Sequence, residues 1–181
     1  DDGGLDTAEL VATVILLLAA GFLTTTNLIG NGLLALFHHP AEMERLWADP
    51  TLVGSAVEEM LRYDTPVQLT TRHVLADVDV DGTHFRQGEN VVVLLGAANR
   101  DPACFPEPDR FDVARPDNGH LSFAWGSHFC LGARLARLEA QLVFSGLLQR
   151  FTRLELTGEP VRRPGLALRG LESLRLRMTS R

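Results

Sequence analysis

A single cysteine in a glycine-bounded loop is the feature that most constrains this chain. Cys130 lies in the segment 123–132, FAWGSHFCLG, and the residues after it have the apolar spacing of an amphipathic helix. A thiol at the start of a helix faces unpaired backbone N–H groups and the positive end of the helix dipole. The sequence therefore predicts a turn that presents Cys130 as a thiolate where a helix begins.

The residues around the cysteine predict the kind of group that it binds. Gly126 suits a tight turn with positive φ, and Gly132 removes a side chain beside the sulfur, so a large flat group could approach the backbone. His128 offers a basic or hydrogen-bonding group to an anion, and Phe123 and Phe129 add apolar walls. A lone thiolate in such surroundings is typical of the axial ligand of a haem iron.

The segment resembles the haem-binding loop of the cytochrome P450 family, F-x-x-G-x-[HR]-x-C-x-G followed by a helix. It matches every fixed position and departs at Ala124, where a second glycine is common. Two other interpretations stay open. The cysteine could be a buried structural residue, or it could belong to a zinc site with Cys104, His120 and His128, although zinc sites favour paired ligands at short spacing.

Composition limits the other possibilities. The 181 residues suffice for one domain, and 45% hydrophobic with 22% charged residues is ordinary for a soluble globular protein. A net charge of −6 without a basic stripe argues against a nucleic-acid partner. Two cysteines indicate a reducing compartment, and we expect a cytoplasmic protein.

We expect no membrane segment. The apolar run from Val11 to Leu23 has 13 residues, whereas a bilayer span needs about 20. The opening residues 1–4 (DDGG) show no leader peptide, and we expect a chain that begins inside a longer protein.

A long helix is predicted from Asp6, whose side chain forms a capping box with Glu9, to about His38. Its first half is apolar nearly all round, which predicts burial at the centre of something larger. Threonines in its middle weaken a helix and can donate to carbonyls four residues back, so we expect a local widening there.

The same stretch resembles a second pattern of the family, the oxygen-activating groove [AG]-G-x-[DE]-T-[TS]. Ala20, Gly21, Thr24 and Thr25 match it, but Leu23 occupies the acidic position. The resemblance implies that Thr24 and Thr25 are catalytic, and that a proton relay through an acid is in doubt. The alternative is that these threonines only bond within a core helix.

Glu59 and Arg62 lie three residues apart on a predicted helix from about Leu52 to Tyr63. A bare pair of this kind is usually a surface ion pair. The resemblance implies instead the E-x-x-R pair of the family, completed by an arginine from a later loop, and Arg110 fits that place. Because buried charges must be paired, we expect Glu59, Arg62 and Arg110 to form a structural network.

Short strands are predicted over Val67–Val74, Val78–Val80 and Val91–Leu95, with a turn at Asp81-Gly82. By resemblance, the first of these segments passes beside the haem. Arg72 would then bind a haem propionate, and a loop over Gly165–Leu171 would reach the substrate pocket. The residues expected to line that pocket are Val67, Gln68, Leu69 and Thr70.

The resemblance implies a mainly α fold with small β-sheets, in which residues 1–181 are the C-terminal part of a single P450 domain. It implies haem b, with Cys130, His128, Arg72, Phe123, Gly126, Gly132, Ala20 and Gly21 around it. The implied activity is a monooxygenase that uses dioxygen, a small organic substrate and electrons from a ferredoxin or flavoprotein docking near Arg134 and Arg137. The alternatives are a haem protein that catalyses rearrangement or coupling, and a truncated piece without activity.

Overall fold

The computed structural model describes residues 4–181, so the predicted absence of a leader, which concerns Asp1 to Gly3, falls outside the described residues. Within this range the prediction of a mainly helical chain with small sheets is confirmed. The helices are α1 (Thr7–His38), α2 (Pro40–Ala48), α3 (Val53–Tyr63), α4 (Leu95–Ala98) and α5 (Ala133–Arg150). The strands are β1 (Thr70–His73), β2 (Val78–Val80), β3 (Thr83–Phe85), β4 (Asn90–Val93), β5 (Phe151–Leu156), β6 (Val161–Arg162), β7 (Leu171–Ser173) and β8 (Leu176–Ser180).

The strands pair antiparallel as β1–β4, β2–β3, β5–β8 and β6–β7. The predicted turn between β2 and β3 is confirmed, with positive φ at both Asp81 and Gly82. The segment predicted as one strand over Val67–Val74 is regular only in β1. Before it, Val67 makes an isolated bridge to Leu168, because the C-terminal loop takes over the pairing there.

The predicted cap of α1 is confirmed. The Glu9 amide donates to the Asp6 side chain at 2.8 Å, and the Asp6 amide donates to the Glu9 carboxylate at 2.9 Å. The first half of α1 was predicted to be buried within something larger, and nothing in residues 4–181 covers its side chains, such as Leu16 and Phe22. By length and composition alone α1 could cross a membrane, in contrast to the estimate from its longest apolar run.

The hydrophobic core lies where the second half of α1 crosses α3 and α5. Gly32 is at this crossing, and a Cβ there would lie 2.5 Å from Met60 Sδ and 3.2 Å from the Phe144 ring. This close approach needs a glycine in α1, although glycine weakens a helix interior. The crossing fixes α3 and α5 relative to each other, and α5 is the helix that follows Cys130.

A buried ion pair on α3 organises the loop between α4 and α5. The Arg62 Nε and Nη2 atoms donate to the two Glu59 carboxylate oxygens at 2.7 and 2.8 Å, and both side chains are fully buried. The remaining donors of Arg62 reach the carbonyls of Asn99, Pro108 and Arg110. This pairing confirms the predicted network for its first two members.

The third member was predicted wrongly. The Arg110 side chain is 54% exposed and pairs with Glu107 and Asp112. Arg115, only 10% exposed, donates from Nε to both oxygens of Glu59 at 3.2 Å. Arg110 contributes its backbone carbonyl instead, because the turn in which it lies points the side chain outward.

Removal of the shared carboxylate should destabilise the fold. Glu59→Ala leaves Arg62 and Arg115 buried without their anion, and we expect a loss of about 3 to 5 kcal/mol in the free energy of unfolding. Urea denaturation followed by circular dichroism measures it. Arg115→Ala should be clearly destabilising, whereas Arg110→Ala should change little; equal effects of the two arginine variants would contradict the assignment.

Candidate functional site

The cysteine loop is a series of turns between Leu121 and α5. The Ala124 amide donates to the Leu121 carbonyl at 2.8 Å, and the Cys130 amide donates to the Phe123 carbonyl at 2.9 Å. Gly126 has φ of +73°, as predicted, and opens a single 3₁₀ turn over Gly126–His128. The loop therefore closes on itself between Phe123 and Cys130.

Cys130 is exposed and free in the described part of the chain, so residues 4–181 do not bury it as a structural cysteine. The helix was predicted to begin at Leu131 but begins at Ala133, since Leu131 and Gly132 form a turn. Among the described residues not adjacent to Gly132, an added Cβ there would meet the Cys130 sulfur alone within 4 Å, at 4.0 Å. The space beside the sulfur is consequently open.

Ala124 adopts the left-handed conformation, with φ of +59°. An L-amino acid in this region carries a steric cost that glycine avoids. The position at which the sequence departs from the family pattern is thus one that favours glycine. Ala124 is half-buried and borders the cavity described next.

A cavity of about 130 Å³ lies between the cysteine loop and the β1–β4 pair. Arg72 lines it, and its Nη1 atom donates to the Thr70 hydroxyl at 3.1 Å and the Thr71 carbonyl at 2.8 Å. The side chains around it are Thr70, Arg72, Val93, Leu95, Leu121, Ala124 and Trp125. The fold thus brings the predicted propionate arginine and the cysteine loop to one cavity.

A larger cavity, of about 350 Å³, lies between the strands of the C-terminal segment. Its lining is mostly polar, and none of the predicted site residues borders it. We therefore assign no part of the candidate site to it. Its lining residues are Gly158, Glu159, Val161, Glu172, Ser173 and Arg175.

The segment predicted to line a substrate pocket meets the C-terminal loop. The Gln68 amide donates to the Ala167 carbonyl at 2.9 Å, and the Arg169 amide donates to the Pro66 carbonyl at 2.8 Å. Val67, Gln68, Leu69 and Thr70 are all half-buried. The Gln68 side chain bonds within the protein. Its Nε2 atom donates to the Thr65 carbonyl at 2.6 Å, and its side-chain amide packs against Gly96.

The threonines of α1 bond within the helix. The Thr24 hydroxyl donates to the Ala20 carbonyl at 2.6 Å, and the Thr26 hydroxyl donates to the Phe22 carbonyl at 2.8 Å. We expected a local widening of the helix at these threonines. Helix α1 is not interrupted there and runs as one α-helix to His38. Thr24 is half-buried and Thr25 is buried. The catalytic assignment of both residues stays a prediction.

A charged cluster under the cysteine loop was not predicted. The Arg137 Nε and Nη2 atoms donate to the Glu58 carboxylate at 2.7 and 2.9 Å, and His120 Nε2 lies 3.1 Å from the same carboxylate. Burial alone would raise the pKa of Glu58, but hydrogen bonds from His120 and Arg137 lower it from 4.5 to about 2. Sequence spacing gave no signal for this cluster, because its members come from α3, the loop and α5.

The zinc interpretation finds no support in residues 4–181. Nowhere in that range do three or more histidine, cysteine or acidic side chains lie close enough together to hold a metal ion. His120 is turned toward Glu58, and His128 is exposed on the 3₁₀ turn.

Comparison with known proteins decides the family. The model of the family "Cytochrome P450" matches residues 1–165. The chain belongs to the cytochrome P450 family. It is 51% identical over 167 residues to the biotin biosynthesis cytochrome P450 of Bacillus subtilis, which covers 92% of the chain and 42% of that relative. It is 47% identical to the cytochrome P450 monooxygenase PikC of Streptomyces venezuelae, over 98% of the chain and 44% of the relative.

Solved structures confirm the P450 fold. The crystal structure of P450BioI in complex with an acyl carrier protein carrying hexadec-9Z-enoic acid matches with a TM-score of 0.93 and 49% identity. That match covers 96% of this chain and 46% of the other. The chain thus spans less than half the length of these P450 relatives.

The residues present fit the haem that this family implies. The exposed thiol of Cys130 is a suitable donor for iron, and the open space at Gly132 leaves the sulfur accessible. Trp125, Phe129 and Leu131 expose apolar surface on the same loop, at 80%, 49% and 90%. Arg72 supplies a cation beside the loop.

The residues that sequence reasoning missed are Trp125, Val93, Leu95 and Leu121, whose place depends on the packing of β4 and α4.

Ala124→Gly should stabilise the protein. Glycine relieves the left-handed strain at a cost in chain entropy, and we expect a net gain of about 0.5 to 1 kcal/mol in the free energy of unfolding. Urea denaturation measures it. Ala41→Gly, at an exposed position in the first turn of α2, is the control and should lose stability, because glycine costs more chain entropy than alanine in a helix. A loss in both variants would contradict the strain at Ala124.

The Glu58 cluster should make stability depend on pH below about 4.5. Because the folded-state pKa of Glu58 is lowered to about 2, its contribution is complete above the unfolded-state pKa and is lost as the pH falls toward 2. The stability difference between the parent and Glu58→Gln should therefore shrink from pH 5 to pH 3, measured by urea denaturation at each pH. Glu44→Gln, at an exposed position on α2, is the control. A difference that stays constant would contradict the assignment.

Proposed function

We propose that this chain supplies the thiolate side of a haem b site, as the C-terminal part (residues 1–181) of a single P450 domain. The proposed activity is that of a haem-thiolate monooxygenase, which inserts one oxygen atom of dioxygen into a small organic substrate. The observation that carries the proposal is the exposed Cys130 thiol before α5, on a loop whose residues Ala124 and Trp125 line one cavity together with Arg72.

Each residue of the loop has a proposed task. Cys130 binds the iron, Arg72 pairs with a propionate, and His128 faces an anion at the edge of the site. When bound, haem supplies the redox chemistry of dioxygen, and a thiolate ligand favours O–O cleavage. Phe123, Gly126 and Gly132 shape the loop on the cysteine side. By resemblance to the family, Ala20 and Gly21 of α1 would provide a narrow helix surface toward the haem.

Proton handling is assigned to α1. Leu23 cannot carry a proton, so the Thr24 hydroxyl, with Thr25, must orient water or a substrate hydroxyl at the site. Support comes from the position of Thr24 on an unbroken helix, where its hydroxyl donates to Ala20 and keeps its oxygen lone pairs as acceptors.

The proposed substrate has an apolar surface. Val67 forms a β-bridge to Leu168 of the C-terminal loop, in which Leu166 is 87% exposed. A fatty acyl chain, the ligand named for the acyl-carrier complex of the related P450BioI, belongs to this class of substrate.

We place the protein in the cytoplasm on the basis of its free cysteines.

Electrons are proposed to come from a ferredoxin or flavoprotein that docks beside α5. The surface predicted to bind this donor lies around Arg134 and Arg137. Arg137 is not free for a partner, because both oxygens of Glu58 accept hydrogen bonds from it. Arg134, which is exposed, is left to meet an acidic partner.

A second candidate is a P450 that uses haem for rearrangement or coupling. Leu23 favours it, because the acid common at this position is absent. The two candidates differ in whether oxygen from dioxygen appears in the product.

Haem-thiolate ligation is tested first. The measurement is the carbon monoxide difference spectrum. The haem-loaded protein without substitutions, called the parent, should show the red-shifted band of a thiolate ligand, and Cys130→Ser should abolish this band. Cys104→Ser is the matched control, since Cys104 is also exposed and free, and it should leave the band intact. Loss of the band in Cys104→Ser, with retention in Cys130→Ser, would refute the assignment.

Thr24→Ala tests the proton route and separates the two candidates. For a monooxygenase, we expect more hydrogen peroxide released and less product formed per electron consumed, because protons arrive with poor orientation. For the non-oxygenating candidate, turnover should stay nearly unchanged. Leu23→Glu is the companion variant; if neither substitution alters the coupling of electrons to product, the route through α1 is wrong.

A further inference from the structure

The charged cluster under the cysteine loop joins three parts of the chain at one carboxylate. Glu58 of α3 accepts hydrogen bonds from two nitrogens of Arg137 on α5 and contacts one nitrogen of His120 in the preceding loop. It precedes Glu59 in sequence but is separate from the Glu59 network. Glu58 and Arg137 are 25% and 31% exposed, and His120 is 2% exposed.

The tautomer of His120 follows from its two contacts. The Ser122 amide donates to Nδ1 at 3.2 Å, so Nδ1 is an acceptor. A neutral ring then carries its proton on Nε2, which donates to Glu58 at 3.1 Å. His120 therefore connects the carboxylate to the backbone at the start of the cysteine loop.

Arg137 connects the same carboxylate to the Phe123 side chain, near the start of the loop. Its guanidinium lies over the Phe123 ring at 4.5 Å from the centroid, held there by Glu58. The Phe123 ring also contacts His120 and Phe129, at 5.8 and 6.4 Å between ring centroids. The carbonyl of Phe123 accepts the hydrogen bond from the Cys130 amide. An unbroken series of contacts thus runs from Glu58 to the backbone of Cys130.

Within residues 4–181, Ser122 anchors the chain before Phe123 through its hydroxyl bond to the Leu61 carbonyl, whereas the loop after Phe123 has few side-chain anchors. Residues 125–132, from Trp125 to Gly132, are exposed, whereas Phe123 is half-buried. A shift of Phe123 would therefore be transmitted to Cys130 with little resistance from the rest of the loop.

We propose that Glu58 and His120 are positioning residues for the haem ligand, because they hold Arg137 against Phe123 and thereby fix the backbone at Cys130. The proposal rests on the proposed haem-thiolate function and adds residues outside the loop to it. It also assigns Arg137 a task inside the protein in place of binding an electron donor. Loosening this cluster should let the thiolate leave the iron while the fold stays intact.

The test follows the thiolate-ligated carbon monoxide band of haem-loaded protein over time, in urea too dilute to change the far-ultraviolet circular dichroism. Glu58→Gln should increase the rate of band loss about tenfold, because an amide cannot accept from all three donors at once. Arg137→Lys should do the same, since lysine lacks the planar fork. If the two residues act as one unit, the double variant should match the single variants and not multiply their effects.

Arg100→Lys is the matched control. Arg100 is 29% exposed, pairs with Asp109 at 2.7 Å and lies over the Tyr63 ring at 3.8 Å, but its contacts lead away from the cysteine loop. Its rate of band loss should stay within about twofold of the parent. His120→Gln, which keeps the Glu58 carboxylate, serves as a second variant if Glu58→Gln does not fold, and it should also lose the band faster.

The outcomes separate the two hypotheses. A parent without a thiolate band would refute the proposed function, and the positioning role with it. A parent with the band, whose cluster variants lose it no faster than Arg100→Lys, would refute the positioning role alone. The same holds if the variants lose the band only together with their secondary structure, because the cluster would then serve general stability.

Discussion

The fully buried ion pair of Glu59 and Arg62 is the interaction on which the rest of the structure depends. Two charges removed from water must have every donor and acceptor satisfied, or the cost is several kcal/mol. Arg62 meets this requirement with carbonyls of the loop between α4 and α5, and Glu59 meets it with Arg115, the Asp112 amide and the Asn118 side chain. A long segment without strands therefore has a defined path, because α3 supplies partners for its backbone.

That path leads to the cysteine loop. The Asn99 carbonyl accepts from Arg62, while its side chain accepts from the Leu121 amide and donates to the Ser122 hydroxyl. The Ser122 hydroxyl in turn donates to the Leu61 carbonyl on α3. The start of the loop is thus attached to α3 through Ser122, and Glu58 of α3 holds Arg137 of α5 over the Phe123 ring. Helix α3 thereby anchors the chain just before the cysteine loop.

The chain exposes large apolar surfaces, and it is less than half as long as its P450 relatives. The first half of α1 and one side of α5, including Leu135, Leu138 and Leu142, are uncovered in residues 4–181. The P450 relatives are more than twice as long as the stretch that matches this chain. An apolar helix of this kind passes a length-and-composition criterion for a membrane span, yet the core helix of a larger protein has the same composition.

The sequence by itself determined the elements that depend on local chemistry. These were the capping box at Asp6, the glycine turn at Gly126, the helix after the cysteine, and the pairing of Glu59 with Arg62 three residues along a helix. Tertiary structure decided which distant arginine completes that pair and which charges lie under the loop. Arg110 and Arg115 are equally plausible by spacing, and only the direction of a turn separates them. Glu58, His120 and Arg137 meet because α3 and α5 both pack against α1 at Gly32. No local pattern encodes such a contact, since its energy depends on burial and geometry fixed by the whole fold.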